Sequence, residues 1–266
     1  MNLVAAATEH PCSWVAANGR LGIAYVEDNA LKVVTSNGIE ASTPVTIAAD
    51  GQHPAAVRMA PSDDVAIFWV TENGALMAGI LARSGDAYAL KAAATTLIIA
   101  GEGPTPIAEV CDVVQQLSGM LVVVYSPQHQ GVTLLQLYPT LEVKGIVGGV
   151  SWYDESGLYG ARVVRSPASD DLLLAAMKLN AYWTSSGYHW FWKKEGLFVI
   201  RLPWVDLSWS SGPVYWPGYG NGQLITADAD DLYGIDRQPS GVYVVHYIYD
   251  GTRQTMTSSD GGQTWA

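Results

Sequence analysis

The sequence predicts an all-β protein, a five-bladed β-propeller closed by the N-terminal strand pairing onto the last blade. Three observations predict it. Short apolar stretches rich in β-branched and aromatic residues stand between turn residues; the longest, such as Leu121 to Tyr125 and Leu172 to Met177, have strand length and fall far short of the roughly 20 residues of a membrane span. These stretches recur at a spacing close to that of a four-stranded blade. Finally, the last unit is one strand short, while the apolar segment Leu3 to Ala7 stands unassigned at the start and can complete it, which removes an open sheet edge.

In the first unit, Glu9-His10-Pro11 precedes an apolar strand, Gly19-Arg20-Leu21-Gly22 leads into Ile23 to Val26, and Glu27-Asp28-Asn29-Ala30-Leu31 is followed by the turn Ser36-Asn37-Gly38. The second unit echoes it with Gln52-His53-Pro54, Ala66 to Val70, Glu72-Asn73-Gly74-Ala75-Leu76 and Arg83-Ser84-Gly85, so that His-Pro returns after 43 residues. Weaker copies centre on Leu121 to Tyr125, Leu172 to Met177 and Val242 to Tyr249. Second strands therefore begin at 23, 66, 121, 172 and 242, with spacings of 43, 55, 51 and 70 residues. The expected blades are 9–50, 51–103, 104–156, 157–222 and 223–266 completed by 1–8, in one domain. Asp86 to Ile99, with Ala89 and Ala92 to Ala94, has the composition of a short helix, and Glu109 to Leu117 fits either period; the repeat assigns both to strands. In the last unit the strands are expected near Tyr233 to Arg237, Val242 to Tyr249 and Thr252 to Ser258. The 70-residue spacing contains an insertion, Pro203 to Gly222, rich in Gly, Pro, Ser and Trp.

With 266 residues, 49% of them hydrophobic, the chain can bury a sizeable core. Only 15% are charged, 14 basic against 25 acidic, for a formal charge of −11. No Lys/Arg-rich run concentrates positive charge, which argues against nucleic acid and anionic membranes as partners. Met1 to Thr8 lacks the basic and long apolar parts of a secretory signal, so synthesis in the cytoplasm is expected. Cys12 and Cys111 match no metal-ligand spacing and read as two buried thiols.

The C-terminal run Ser258-Ser259-Asp260-Gly261-Gly262-Gln263-Thr264-Trp265 spells S-x-D-x-G-x-T-W. An Asx-type turn lets Asp260 accept backbone N–H bonds, Gly262 supplies a positive φ, and Thr264 and Trp265 are expected to begin a strand by packing inward. The run resembles the Asp-box of sialidase-like (BNR-repeat) β-propellers. That resemblance implies a hairpin turn remote from the substrate pocket, a structural role for Ser258, Asp260, Gly262, Thr264 and Trp265, and six blades where the repeats here count five.

Trp183, Trp190, Trp192, Trp204, Trp209 and Trp216 crowd the insertion and the strand before it. Trp190 and Trp192 alternate on one strand face and read as inter-blade filling. Trp204, Trp209, Tyr215, Trp216 and Tyr219 lie among Gly and Pro, where flat rings suit sugar faces or a protein partner, and are the expected ligand-binding residues.

Evidence for catalysis is thin. A sialidase clamps its substrate with three arginines; Arg58, Arg162, Arg165 and Arg237 fall on expected inner strands, and Arg201-Leu202-Pro203 imitates an Arg-Ile-Pro motif at the wrong end of the chain. A glycosidase needs two separated carboxylates. Glu109 and Asp112 differ by an odd number and so should face opposite sides of a strand. Asp228, Asp230 and Asp231 read as a solvated acidic turn, with Asp236 beyond, and lack the spacing of a Ca²⁺ loop. His10 and His53 occupy equivalent turn positions, and no histidine pair, nucleophile elbow or phosphate loop occurs. The sequence thus points to no cofactor and no metal. It favours a non-catalytic binding or assembly module recognising glycan or protein, such as a virion or phage-tail component, with oligomeric assembly left open. A sialidase-like glycoside hydrolase is the alternative.

Overall fold

The computed structural model describes residues 11–98, 107–127, 132–150, 156–184, 189–202 and 222–266. Among them every regular element is a strand. The strands form five sheets, the blades of a β-propeller, and each sheet is built from consecutive strands. The first sheet is β1 (Cys12–Val15), β2 (Leu21–Glu27), β3 (Ala30–Ser36) and β4 (Val45–Ala48). The second is β5 (Gln52–Arg58), β6 (Val65–Val70), β7 (Leu76–Ser84) and β8 (Ala87–Leu90), with β9 (Thr95–Ile98) also paired to β7. The third is β10 (Ile107–Gln115), β11 (Leu121–Pro127), β12 (Val132–Leu137) and β13 (Val143–Val150). The fourth is β14 (Ser156–Arg165), β15 (Leu172–Thr184), β16 (His189–Leu202) and β17 (Gly222–Thr226), so this blade runs past the expected boundary at 222. The fifth, β18 (Asp231–Arg237), β19 (Tyr243–Tyr249) and β20 (Thr252–Ser258), has three strands among the described residues. The expected closing strand, Leu3 to Ala7, lies outside them.

The chain divides into two compact units: residues 1–128 with 136–144, and residues 129–135 with 145–266. In the first, Trp14, Leu31, Ile67, Trp69, Leu81 and Tyr88 share one buried cluster, with Trp14 edge-on to Tyr88 at 5.4 Å. In the second, Leu173, Met177, Leu197, Leu232, Ile235 and Val245 share another. The second strands β6, β11 and β15 are buried along unbroken apolar runs because both of their faces pack, so each burial of a Leu, Ile or Phe side chain contributes about 1.5–3 kcal/mol.

Local turn chemistry sets the registers. Asp28-Asn29 and Asp250-Gly251 both adopt positive φ, as a two-residue hairpin of the right twist requires, and they pin Glu27 opposite Ala30 and Tyr249 opposite Thr252. A second turn recurs five times, at 16–20, 71–75, 116–120, 138–142 and 238–242: the first residue's N–H bonds to the fifth residue's carbonyl, and the fourth residue's N–H bonds back to the first. That fourth residue has positive φ in each copy, and it is Gly19, Gly74, Gly119, Leu141 and Gly241. Leu141 is the exception to glycine, held by burial of its side chain.

Candidate functional site

The first strand of each sheet is the one whose irregularities matter. From the second sheet to the fifth, every first strand carries an extra residue near its start. Gln52 and Ala55 pair with Val70 and Phe68; Val110 and Asp112 with Tyr125 and Val124; Tyr159 and Arg162 with Met177 and Ala175; Leu232 and Gly234 with Tyr247 and His246. In each case the first strand advances one residue more than its partner, which defines a bulge. The inserted positions include His53 at φ 48° and Gly160 at φ 60°. Bulges re-aim side chains and concentrate next to active sites.

The bulge at Cys111 corrects the reading of Glu109 and Asp112. Counting residues places them on opposite faces, but Glu109 pairs with Ser126 and Asp112 with Val124, two residues apart on β11. Both carboxylates therefore share one face of the sheet. Cys111 joins them there, its thiol 3.4 Å from Glu109 Oε1. Glu109 and Asp112 are half-buried and Cys111 is buried. A second irregularity lies between Ile107 and Glu109. Strand β5 packs beside β10, and the two begin at the same end. Ile107 N–H donates to Gly74 O at 3.2 Å, on the turn that follows Val70, the partner of Gln52. At the far end Gln115 Oε1 accepts from Ala60 N–H at 2.8 Å, and its amide donates to Ala60 O at 3.2 Å. His53, half-buried on its bulge, thus belongs to the same strand ends as Glu109 and Asp112. Two carboxylates and an imidazole on such strand ends can supply acid, base or nucleophile at a glycosidic bond.

The arginines do not assemble a carboxylate clamp. Arg58, Arg165 and Arg237 are the last residues of β5, β14 and β18, at the ends away from the bulges. There they do structural work: Arg58 lies 3.9 Å from Asp63, Arg165 Nη1 donates to Ser166 O at 2.6 Å and Ser169 O at 3.3 Å, and Arg237 lies 6.0 Å from the Tyr243 ring centre. Arg162 donates to its neighbour Ala161 O at 2.9 Å. Among the aspartates, Asp230 pairs with Lys194 at 3.6 Å and accepts from Asp250 N–H at 2.7 Å, Asp231 accepts from Leu232 N–H at 2.9 Å, and Asp236 pairs with His246 at 3.3 Å. No metal-binding group of three His, Cys, Asp or Glu occurs among the described residues. No disulfide joins Cys12 and Cys111; Cys12 is half-buried, contrary to the expectation of full burial.

The turn after β20 is organised by Asp260. Its Oδ1 accepts from Gln263 N–H at 2.9 Å, Thr264 N–H at 3.0 Å and the Ser258 hydroxyl at 2.7 Å; Oδ2 accepts from the Thr264 hydroxyl at 2.6 Å. These donors, the Thr264 hydroxyl first, hold the Asp260 carboxyl far below the usual carboxylate range. Gly262 has φ 83°, and a Cβ there would stand 2.8 Å from Leu173 Cδ1. Trp265 packs against the second unit's core. Thr264, expected to point inward, is exposed because its hydroxyl is engaged by Asp260. Ala266 and Thr257 exchange backbone bonds of 2.8 and 3.0 Å, closing the turn.

Beside this turn the second unit holds a cavity of about 570 Å³. Buried Leu172, Leu173, Val199, Leu202 and Tyr243 line it, together with exposed Asp171, Arg201, Gln223 and Gln263. The chain leaves β16 and re-enters β17 at this cavity. Trp204, Trp209, Tyr215, Trp216 and Tyr219, on the segment between, lie outside the described residues. Sequence reasoning missed the strand-start bulges, although His53-Pro54 and Gly160 were local signs of two of them.

No family model matches the chain, and no curated protein matches it in sequence. In structure it is similar to an ulvan lyase of the polysaccharide lyase group PL25 bound to -[GlcA(1-4)Rha3S]-, with TM-score 0.62, 11% identity, and coverage of 98% of this chain and 72% of that one. It is also similar to an exo-1,5-alpha-L-arabinanase from a bovine ruminal metagenomic library, with TM-score 0.53, 13% identity and coverage of 93% and 91%. A third is the alpha-L-arabinofuranosidase from Lactobacillus brevis, with TM-score 0.51, 12% identity and coverage of 93% and 89%. At these identities the likeness is one of fold. It nonetheless corrects the expectation of a non-catalytic binding or assembly module, since these three similar proteins are a polysaccharide lyase and two glycosidases, and it lends no support to a virion or phage-tail component.

Proposed function

We propose that this chain is a glycan-cleaving enzyme, a glycoside hydrolase acting on uncharged sugars, with Glu109 and Asp112 as its carboxylate pair and His53 beside them. The observation that carries the reading is the bulge at Cys111, which turns two carboxylates of one strand onto one face. Hydrolysis needs one carboxyl to protonate the leaving oxygen and a second to activate water or to attack the anomeric carbon. Strand rise separates the two backbone rungs by roughly 6.6 Å, so both side chains project from neighbouring positions of one face. Charge favours a neutral substrate: a face holding two carboxylates, in a chain of formal charge −11, repels a uronate or sialate. Arg58, Arg165 and Arg237, three of the arginines that a sialidase clamp would draw on, are engaged at strand ends away from the bulges. The Asp-box kinship is retained as a proposal about the Asp260 turn alone, supported by the bonds that Asp260 accepts. Trp204, Trp209, Tyr215, Trp216 and Tyr219 are proposed, on sequence, as rings for sugar stacking.

The test is a panel of neutral and uronate-containing polysaccharides, assayed both for new reducing ends and for the ultraviolet band of an unsaturated product. The expected result is reducing ends from a neutral polysaccharide with no such band. Cleavage of uronate polymers alone, with the band, would replace hydrolysis by elimination.

A further inference from the structure

We infer that the cavity beside the Asp260 turn is a second sugar-binding site, one that holds glycan without cleaving it. The inference rests on the glycan reading above for its ligand class, but on different residues. The cavity belongs wholly to the second unit and shares no residue with the Glu109 and Asp112 face. Within its own sheets it lies at the ends away from the bulges: Ser166 follows the last residue of β14, and Tyr243 opens β19 just after the turn that closes β18.

Its chemistry is that of a sugar site. At about 570 Å³ it falls in the range of small-ligand pockets. Buried leucines, Val199 and the Tyr243 ring form an apolar floor beneath a polar rim. Around it stand a guanidinium and an amide with nothing to bind: among the described residues neither the Arg201 nor the Gln223 side chain has a hydrogen-bond or ion-pair partner. By contrast, Asp171 accepts from the Ser169 hydroxyl at 2.9 Å, and the Gln263 amide donates to Asp260 O at 2.9 Å. Gly261 and Gly262 bring backbone, without side chains, to the same wall.

The charges select among sugars. Arg201 alone would suit a carboxylate, but Asp171 lines the same cavity and opposes an anion. A cation and a carboxylate together match hydroxyl groups, which donate and accept, so the ligand is an uncharged sugar unit of a longer glycan. Such a site would hold the polymer and raise its local concentration without contributing to the chemical step.

The experiment is calorimetric titration of the full chain carrying Glu109→Gln, so that no ligand is consumed, with arabinotriose, cellotriose and maltotriose, and with a glucuronate-containing disaccharide. One neutral trisaccharide is expected to bind. Arg201→Ala and Gln223→Ala, made separately, should each weaken it by about tenfold with unchanged thermal midpoints, since both side chains are exposed and have no partner among the described residues. In protein with Glu109 intact, the same two variants should leave turnover of a short soluble substrate unaltered while slowing attack on polymer. Failure of all three trisaccharides to bind, binding indifferent to Arg201→Ala and Gln223→Ala, or preference for the acidic disaccharide would each overturn the inference. Trisaccharide binding that depends on Arg201 in a protein that cleaves no polysaccharide would instead sink the hydrolase reading and leave the cavity site standing.

Discussion

The two ends of the first strands are built on opposite rules. At their far ends the chain turns by repeated, fully bonded geometry, most plainly at 16–20, 116–120 and 238–242, and arginines or a glutamine are fixed there by neighbours. At their starts, in four of the five sheets, the ladder is broken by an extra residue. Regular ends satisfy the backbone and hold the sheets. Irregular ends sacrifice ladder bonds, and what they obtain is a new direction for the side chains around the bulge. The difference shows where to look for chemistry in a fold whose strands are otherwise interchangeable.

The largest expected effect breaks the irregular end. Glu109→Gln or Asp112→Asn should lower kcat/KM on a neutral glycan by about 10²- to 10⁴-fold, the usual worth of a general acid or base, while circular dichroism and thermal midpoint stay close to wild type. Full activity in both variants would remove the carboxylates from the mechanism.

At the regular end the prize is stability. Gly262→Ala places a methyl 2.8 Å from Leu173 Cδ1 at a φ of 83°, so overpacking and backbone strain add. Together they should cost about 2–4 kcal/mol in denaturant melts, with kcat unchanged. A loss confined to activity would contradict the structural role of this turn.

Asp260→Asn should give a smaller, pH-dependent loss. The folded-state pKa of Asp260 is depressed by the hydroxyl and backbone donors around it. Its ionised form therefore adds stability that is fully present above the ordinary carboxylate range and is lost as pH falls toward the depressed value. The gap in thermal midpoint between wild type and Asp260→Asn should be widest near neutrality and should narrow through the acid range; a constant gap would mean that the carboxylate charge plays no part.

Least of all in stability terms, His53→Gly should leave the protein as stable or about 1 kcal/mol more so, because a non-glycine residue at φ 48° is strained. Activity should nonetheless fall. A stability loss with unaltered kcat would make His53 a turn residue, as its sequence repeat with His10 suggests.

Much of the fold was legible because strands announce themselves by composition. The runs Ala66 to Val70, Leu121 to Tyr125 and Leu172 to Met177 have strand length and β-branched or apolar composition, and their regular spacing counted the blades. Asp86 to Ile99 became β8 and β9 although its alanines suit a helix, since pairing with β7 outweighs a propensity of a few tenths of a kcal/mol per residue. The Asp260 turn was readable because each of its bonds demands a particular residue type. The candidate site was not. Face assignment by parity assumes an uninterrupted ladder, and one inserted residue such as Cys111 reverses it while leaving no mark in the periodicity. The expectation of a non-catalytic module followed in part from the same parity count, which set Glu109 and Asp112 on opposite faces.

A double-mutant cycle on Glu109 and Asp112 tests the central claim most directly. If the bulge at Cys111 makes them one catalytic unit, kcat/KM of the Glu109→Gln/Asp112→Asn protein should be about as low as that of the more damaging single variant, because a unit disabled once has little left to lose. Independent losses that multiply, or a single variant that keeps wild-type activity, would contradict it.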